Sequence, residues 1–202
     1  MKKRVIMGII VAGCLVLCAC STKDTTKENI SGNGSMSVSE EIAAEVSENI
    51  IPEEAMEYIA LSCSIPEGFS PTSESNDTQA IYVSDSLEDY SYITYTRQEV
   101  DATSDYTLLT QEDYQTALEN RLATTVNMTS YASVQEEDYY LVSLGLTYEK
   151  DGKSYLVQEE IYVTDKYLFT MVFAEGSGGE WATQFAESMA SLKLESIASM
   201  GD

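Results

Sequence analysis

The sequence predicts an α+β fold: an antiparallel sheet of about six to seven strands covered by two main helices. Three observations carry this. Apolar and polar residues alternate with period two in several short runs, such as Ile59, Leu61, Cys63 and Ile65. Two other runs repeat apolar residues at helical steps, Tyr114–Leu118–Leu122–Val126 and Trp181–Phe185–Met189–Leu192. Between two alternating runs stands Asp151-Gly152, the dipeptide that closes a two-residue β-hairpin. Strands followed by helices in that order give helices laid over an antiparallel sheet.

Taken in order, Ile59 to Ile65 reads as a half-buried strand with Cys63 on its apolar face. The prolines and glycine of "IPEGFSP" end it in a turn. Ile81 and Val83 suggest a second strand, and "YSYITYTR" (90–97) a third. Thr110 heads a helix, with Glu112 and Asp113 in its first turn, where acids and a hydroxyl cap satisfy free N–H groups. Residues 129 to 174 read as a meander with tight turns at Asp151-Gly152 and Asp165-Lys166. Val142, Leu144, Leu146 and Tyr148 share one face, Ile161 and Val163 another such stripe, and Phe169, Met171 and Phe173 a third. "EGSGGE" (175–180) breaks the sheet before the last helix.

The N-terminus carries an address. Lys2, Lys3 and Arg4 precede a mostly apolar run from Val5 to Leu17, the charged start and apolar core of a secretory signal. The run is shorter than the roughly 20 apolar residues a membrane-spanning helix needs. It ends Leu17-Cys18-Ala19-Cys20, which resembles the lipobox of bacterial lipoproteins. That resemblance implies cleavage before Cys20, acylation of its thiol, and anchoring to the extracytoplasmic face of the cell membrane. Val11-Ala12-Gly13-Cys14 fits the same pattern, so Cys14 is the alternative site. It would leave a short apolar core before it and the apolar run Leu15 to Leu17 after it. An uncleaved signal anchor is the remaining alternative. The organisation expected is a signal over 1–19, an acylated polar tether over 20–53, one domain over 54–197 and a tail over 198–202. Ser39 to Ile50 can form a short helix in the tether, marginal alone. With Cys14 and Cys18 removed and Cys20 acylated, Cys63 is the remaining thiol, so no internal disulfide is expected. Its expected role is that of a small buried hydrophobe.

Charge excludes one class of partner. Loss of Lys2, Lys3 and Arg4 takes the 11 basic residues to 8 against 34 acids, a net charge of −26. Nucleic acid is a poor partner for such a chain, because phosphate binding requires clustered cations. Solubility, divalent cations and a basic partner all remain consistent with that charge. The absence of histidine excludes Ser-His-Asp and Cys-His catalysis. No phosphate-binding loop, dinucleotide fingerprint or calcium-loop motif occurs. A carboxylate-pair hydrolase is one alternative function, although 34 acids single out no pair. Glu136, Glu137 and Asp138 are the candidates for calcium in a calcium-stabilised surface domain, the other alternative function. All 14 tyrosines fall between Tyr58 and Tyr167. Tyr82, Tyr90, Tyr92, Tyr95, Tyr139 and Tyr140 lie on or near strands and form the candidate binding face, since tyrosine offers rigid amphipathic contact area.

A strand running into Ile65-Pro66-Glu67-Gly68-Phe69, a helix after the first strands, a long meander and a final amphipathic helix ending "ESMASLKLE" together resemble the PsbP-like superfamily. That superfamily includes the Mog family and lipoproteins of the LpqN and DcrB type; many members carry Trp where Phe69 stands. The resemblance spans about 55–196 and implies a binding or accessory module rather than an enzyme. Histidine metal sites found in some plant members have no counterpart in a chain without histidine. The expected protein is therefore a lipid-anchored envelope module without cofactor. It would engage an unidentified envelope protein or small ligand.

Overall fold

The computed structural model describes residues 57–101 and 105–196. The segments read as signal and tether, with Cys14 and Cys20, and the tail lie outside the described residues. Four strands come first: β1 (Tyr58–Ser62), β2 (Phe69–Pro71), β3 (Gln79–Ser84) and β4 (Tyr92–Glu99). A 3-10 turn (Tyr106–Leu108) leads to α1 (Gln111–Leu122). Then come β5 (Val126–Gln135), β6 (Tyr140–Lys150), β7 (Lys153–Val163), β8 (Tyr167–Gly176), α2 (Ala182–Ala190) and β9 (Lys193–Ser196). Seven strands form one antiparallel sheet in the order β2-β3-β4-β8-β7-β6-β5, and β1 pairs with β9 as a separate ribbon. The predicted α+β fold class is what is observed.

Local chemistry places the elements. Thr110 caps α1 with a reciprocal box: its side chain accepts from the Asp113 N–H, and the Asp113 carboxylate accepts from the Thr110 N–H at 2.8 Å. The helix ends where Ala123 turns left-handed at φ 55°. Val126 therefore belongs to β5 and not to the helical stripe, and the meander begins there rather than at residue 129. Asp151 (φ 54°) and Gly152 (φ 73°) make the two-residue turn between β6 and β7 that the dipeptide predicts. β2 and β9, three and four residues long, were not legible in the sequence pattern, and Leu192 lies beyond α2.

The sheet has two unlike faces. On one, α1 packs Tyr114 and Leu118 onto Val142, Leu144, Leu146, Val157, Ile161 and Val172. On the other, Phe185 of α2 and Leu61 of β1 pack onto Ile93, Phe169, Met171 and Phe173. Cys63, just past β1, is half-buried against this second core, and burial pushes its thiol up to about 11. Truncating Leu118, 1% exposed, to Ala would cost about 2–5 kcal/mol.

The first core holds a charge pair. Glu159 on β7 has no exposed surface and faces Arg121 of α1, which donates from Nη1 to Oε1 at 3.1 Å and from Nη2 to Oε2 at 2.7 Å. Nearby, the Tyr92 and Tyr148 hydroxyls are 2.8 Å apart, and the Tyr148 ring stacks on Tyr155.

Candidate functional site

Among the described residues, the second face is only half covered. The apolar layer of Phe169, Met171 and Phe173 on β8 lies beneath α2 and the ribbon. Strand register carries this same face outward from β8 onto β7 and β6. Glu175 pairs with Leu156, and Leu156 with Thr147; Phe173 pairs with Gln158, and Gln158 with Gly145; Met171 pairs with Glu160, and Glu160 with Ser143. Side chains thus change from large and apolar on β8 to mostly polar and small on β7 and β6. Gln158 is exposed, as are Ser130 and Ala132 opposite Gly145 and Ser143 on β5, and Leu156 is 49% exposed. One end of this open half-face is an open groove of about 810 Å³, lined by Asn127, Thr147, Leu156, Glu175 and the Ser177–Gly179 loop.

The groove wall is built by polar contacts rather than by packing alone. Asp89 accepts from the Ser91 N–H at 2.9 Å, from the Ser91 hydroxyl at 2.6 Å, and from Trp181 Nε1. Burial works against its charge, but these hydrogen bonds hold the carboxyl below its ordinary range. Ser91 Oγ in turn accepts from the Gly176 N–H at 3.0 Å, and Glu175 accepts from the Trp181 N–H at 3.1 Å. A Cβ on Gly179 would sit 2.5 Å from Ser91 Oγ and 2.9 Å from the Trp181 ring, so only glycine lets the loop lie this close.

On the open half-face, Ser143 donates to Glu160 Oε2 at 2.6 Å while burial pushes the Glu160 carboxyl above its ordinary value. Tyr162 follows on β7, its hydroxyl pushed up to about 12 by burial with help from Glu160. Tyr139 lies against both Tyr162 and Tyr58, with ring centroids 5.5 and 6.2 Å apart.

The six tyrosines read as a binding face do not form one surface. Tyr92 is buried in the first core and Tyr140 packs against it. Tyr82 and Tyr95 pack against the second core, beneath or beside its cover. Tyr90 is exposed on a loop with Lys153 Nζ 3.0 Å from its ring centre. Tyr139 alone borders the open half-face. Glu136, Glu137 and Asp138 are exposed in the β5–β6 turn, where Asp138 accepts from the Tyr58 hydroxyl at 3.3 Å. No group of three potential metal ligands is brought together among the described residues. Both oxygens of the fully buried carboxylate, Glu159, are taken by Arg121 and are not presented to a substrate.

Sequence reasoning missed Gln158, Glu160, Gly145 and Glu175. The signal was there: β7 puts Leu156, Gln158 and Glu160 at the positions that face the same way as Phe173 and Met171 of β8. A face apolar on one strand and polar on the next is a face whose cover stops.

Among the described residues, no cation lies on the open half-face. The described residues hold six. Arg97 donates to the Ile59 carbonyl at 2.8 Å, and Arg121 pairs with Glu159. Lys150 donates to the Leu122 carbonyl at 3.2 Å, and Lys153 sits over Tyr90. Lys166 pairs with Glu57, and Lys193 with Glu195.

No family model and no curated protein matches the sequence. Solved structures are similar in fold. The solution structure of cyanobacterial PsbP (CyanoP) from Synechocystis sp. PCC 6803 matches with a TM-score of 0.50 at 10% identity, covering 69% of this chain and 95% of that one. LpqN, involved in cell envelope biogenesis of Mycobacterium tuberculosis, has a TM-score of 0.44 at 11% identity, covering 66% and 82%. The Saccharomyces cerevisiae Ran-binding protein Mog1p has 0.41 at 15%, covering 67% and 90%. At such identity the first likeness is one of fold alone: the strand and helix arrangement is similar to that of PsbP.

Proposed function

We propose that this chain is a non-catalytic binding module, held at the extracytoplasmic face of the cell membrane by a lipid on Cys20, whose open half-face receives a positively charged partner. The observation that carries the binding reading is the half-covered sheet. It offers Glu149, Glu160 and Glu175 on or beside an accessible, small-residue surface with no cation, in a chain of net charge −23. Such a surface attracts cations over about a Debye length and repels acidic competitors. The lipid anchor rests on the lipobox resemblance at Leu17-Cys18-Ala19-Cys20. A chain of net charge −23 is repelled by anionic lipid, and in this reading the acyl group supplies the attachment.

The test is a thermal-shift titration of the full chain with oligolysine of about ten residues, a neutral oligosaccharide and calcium. Binding at 100 times the dissociation constant adds about 2.7 kcal/mol, a rise of roughly 5–10 °C for a domain of this size. Oligolysine is expected to give that rise, and Gln158→Arg, which puts a cation in the middle of the half-face, to remove it. A rise with calcium or the oligosaccharide alone, or an oligolysine rise that Gln158→Arg leaves intact, would overturn the reading.

A further inference from the structure

We infer that the partner is an extended cationic polypeptide segment that adds to the sheet as an eighth strand along β5. This rests on the open half-face being the binding surface and names what binds there and how. β5 ends the seven-stranded order, with β6 on one side and no strand beyond it among the described residues. An edge strand turns half of its backbone N–H and C=O groups outward, a ready template for another chain. Folds usually blunt such an edge with prolines, charges or a very short strand. The opposite edge shows two of these devices, since β2 is three residues long and contains Pro71. β5 shows none of the three. It runs ten residues, "VNMTSYASVQ", with no proline and no charge. Its one irregularity lies between Met128 and Ser130, and from Ser130 to Gln135 its pairing with β6 is unbroken. Six of its last seven residues, all but Tyr131, are exposed, Val134 at 48%.

Charge selects the occupant. At the start of β5, Glu119 accepts from the Val126 N–H at 3.1 Å, and Glu149 lies close by, its carbonyl bonded by Thr124. At the far end stand the exposed Glu136, Glu137 and Asp138. An uncharged edge with acids at both ends fits a strand with an uncharged middle and basic residues toward its ends. A second copy of this chain is disfavoured: β5 against β5 sets acids against acids whichever way the strands run. Opposite-charge steering also speeds the encounter. Once paired, alternate side chains of the added strand fall on the face that carries Ser143, Gly145 and Glu160, so edge and half-face form one site.

The experiment is hydrogen–deuterium exchange on the full chain with three peptides of about ten residues, each with lysines at both ends and alternating Val and Thr between. One is unmodified; the other two carry backbone N-methyl groups on either the odd or the even residues. All have the same charge and side chains, but each N-methylated peptide has lost the donors of one edge. The expected result is at least tenfold slower exchange within Ser130–Gln135 with the unmodified peptide. One N-methylated peptide should reproduce it and the other should lose it. Glu136→Lys/Glu137→Lys, at two exposed positions, should weaken binding about tenfold. If all three peptides bind equally and protect β6 and β7 but not β5, the edge inference falls while the binding reading stands. If none binds, both fall.

Discussion

Arg121 reaches from α1 to place its two terminal nitrogens 3.1 and 2.7 Å from the two carboxylate oxygens of Glu159, a residue with no exposed surface at the middle of the sheet. In the sheet Glu159 lies between Leu144 and Val172, so its charge has Arg121 and little else to compensate it.

Removing Arg121 should therefore be far worse than removing the pair. Arg121→Ala strands a buried carboxylate and should cost about 3–5 kcal/mol in urea denaturation. Arg121→Met/Glu159→Leu should come within about 1 kcal/mol of the parent. A double variant as unstable as the single one would show that the pair does more than neutralise itself.

Glu160 gives a pH signature of the opposite kind to acid denaturation. Burial holds its folded-state value above the ordinary 4.5, so the folded state keeps a proton that the unfolded chain loses. Stability from this group is full below about pH 4 and falls as pH rises through the raised value. Glu160→Gln can still accept from Ser143 and carries no charge. It should melt at the same temperature as the parent at about pH 4 and above it at neutral pH. Equal melting temperatures at both would remove Glu160 as a strained acid.

Two buried tyrosine hydroxyls should respond oppositely to deletion. The Tyr148 hydroxyl bonds that of Tyr92, so Tyr148→Phe leaves a buried partner unpaired and should cost about 1 kcal/mol or more. The Tyr114 hydroxyl is buried with no hydrogen-bond partner, so Tyr114→Phe should be neutral or stabilising by up to about 1 kcal/mol. Urea midpoints at unchanged slope read both directly.

Cys63 should be slow to alkylate. Its thiol is half-buried and pushed up to about 11, so little thiolate exists near neutral pH. Peptide mapping after iodoacetamide at about pH 8 should find Cys63 unmodified in the folded chain and modified in urea. Rapid labelling in the folded chain would assign it an environment unlike the second core.

Cys20→Ala is expected to shift the protein from the membrane to the soluble fraction and to abolish acylation of the mature chain. Continued anchoring with acylation would move the lipid to Cys14. Continued anchoring without acylation would mean an uncleaved signal.

Strong local chemistry was legible and weak local chemistry was not. Thr110 with Asp113, and Asp151 with Gly152, announce a helix start and a hairpin because a few neighbouring residues settle the backbone there. β9 escaped because Lys193 to Ser196 is a strand only by virtue of Tyr58 to Ser62, more than a hundred residues away. Glu159 occupies a position where alternation from Tyr155 and Val157 to Ile161 asks for an apolar residue, and the partner that permits it sits on a distant helix. The tyrosines misled for a simpler reason. Their spacing says that they belong to strands, but only strand order and register say which face each one takes.

The pairing of β1 with β9 sets the timing of folding in a chain made from its N-terminus. β2, β3 and β4 can pair among themselves as they emerge, and so can β5 to β8. β4 must wait for β8, and β1 cannot be matched until Lys193 to Ser196 appears, at the far end of the domain. Until then Leu61 and the apolar side of β8 have no complete cover. The finished native state is therefore withheld from a nascent chain until its last strand has been made.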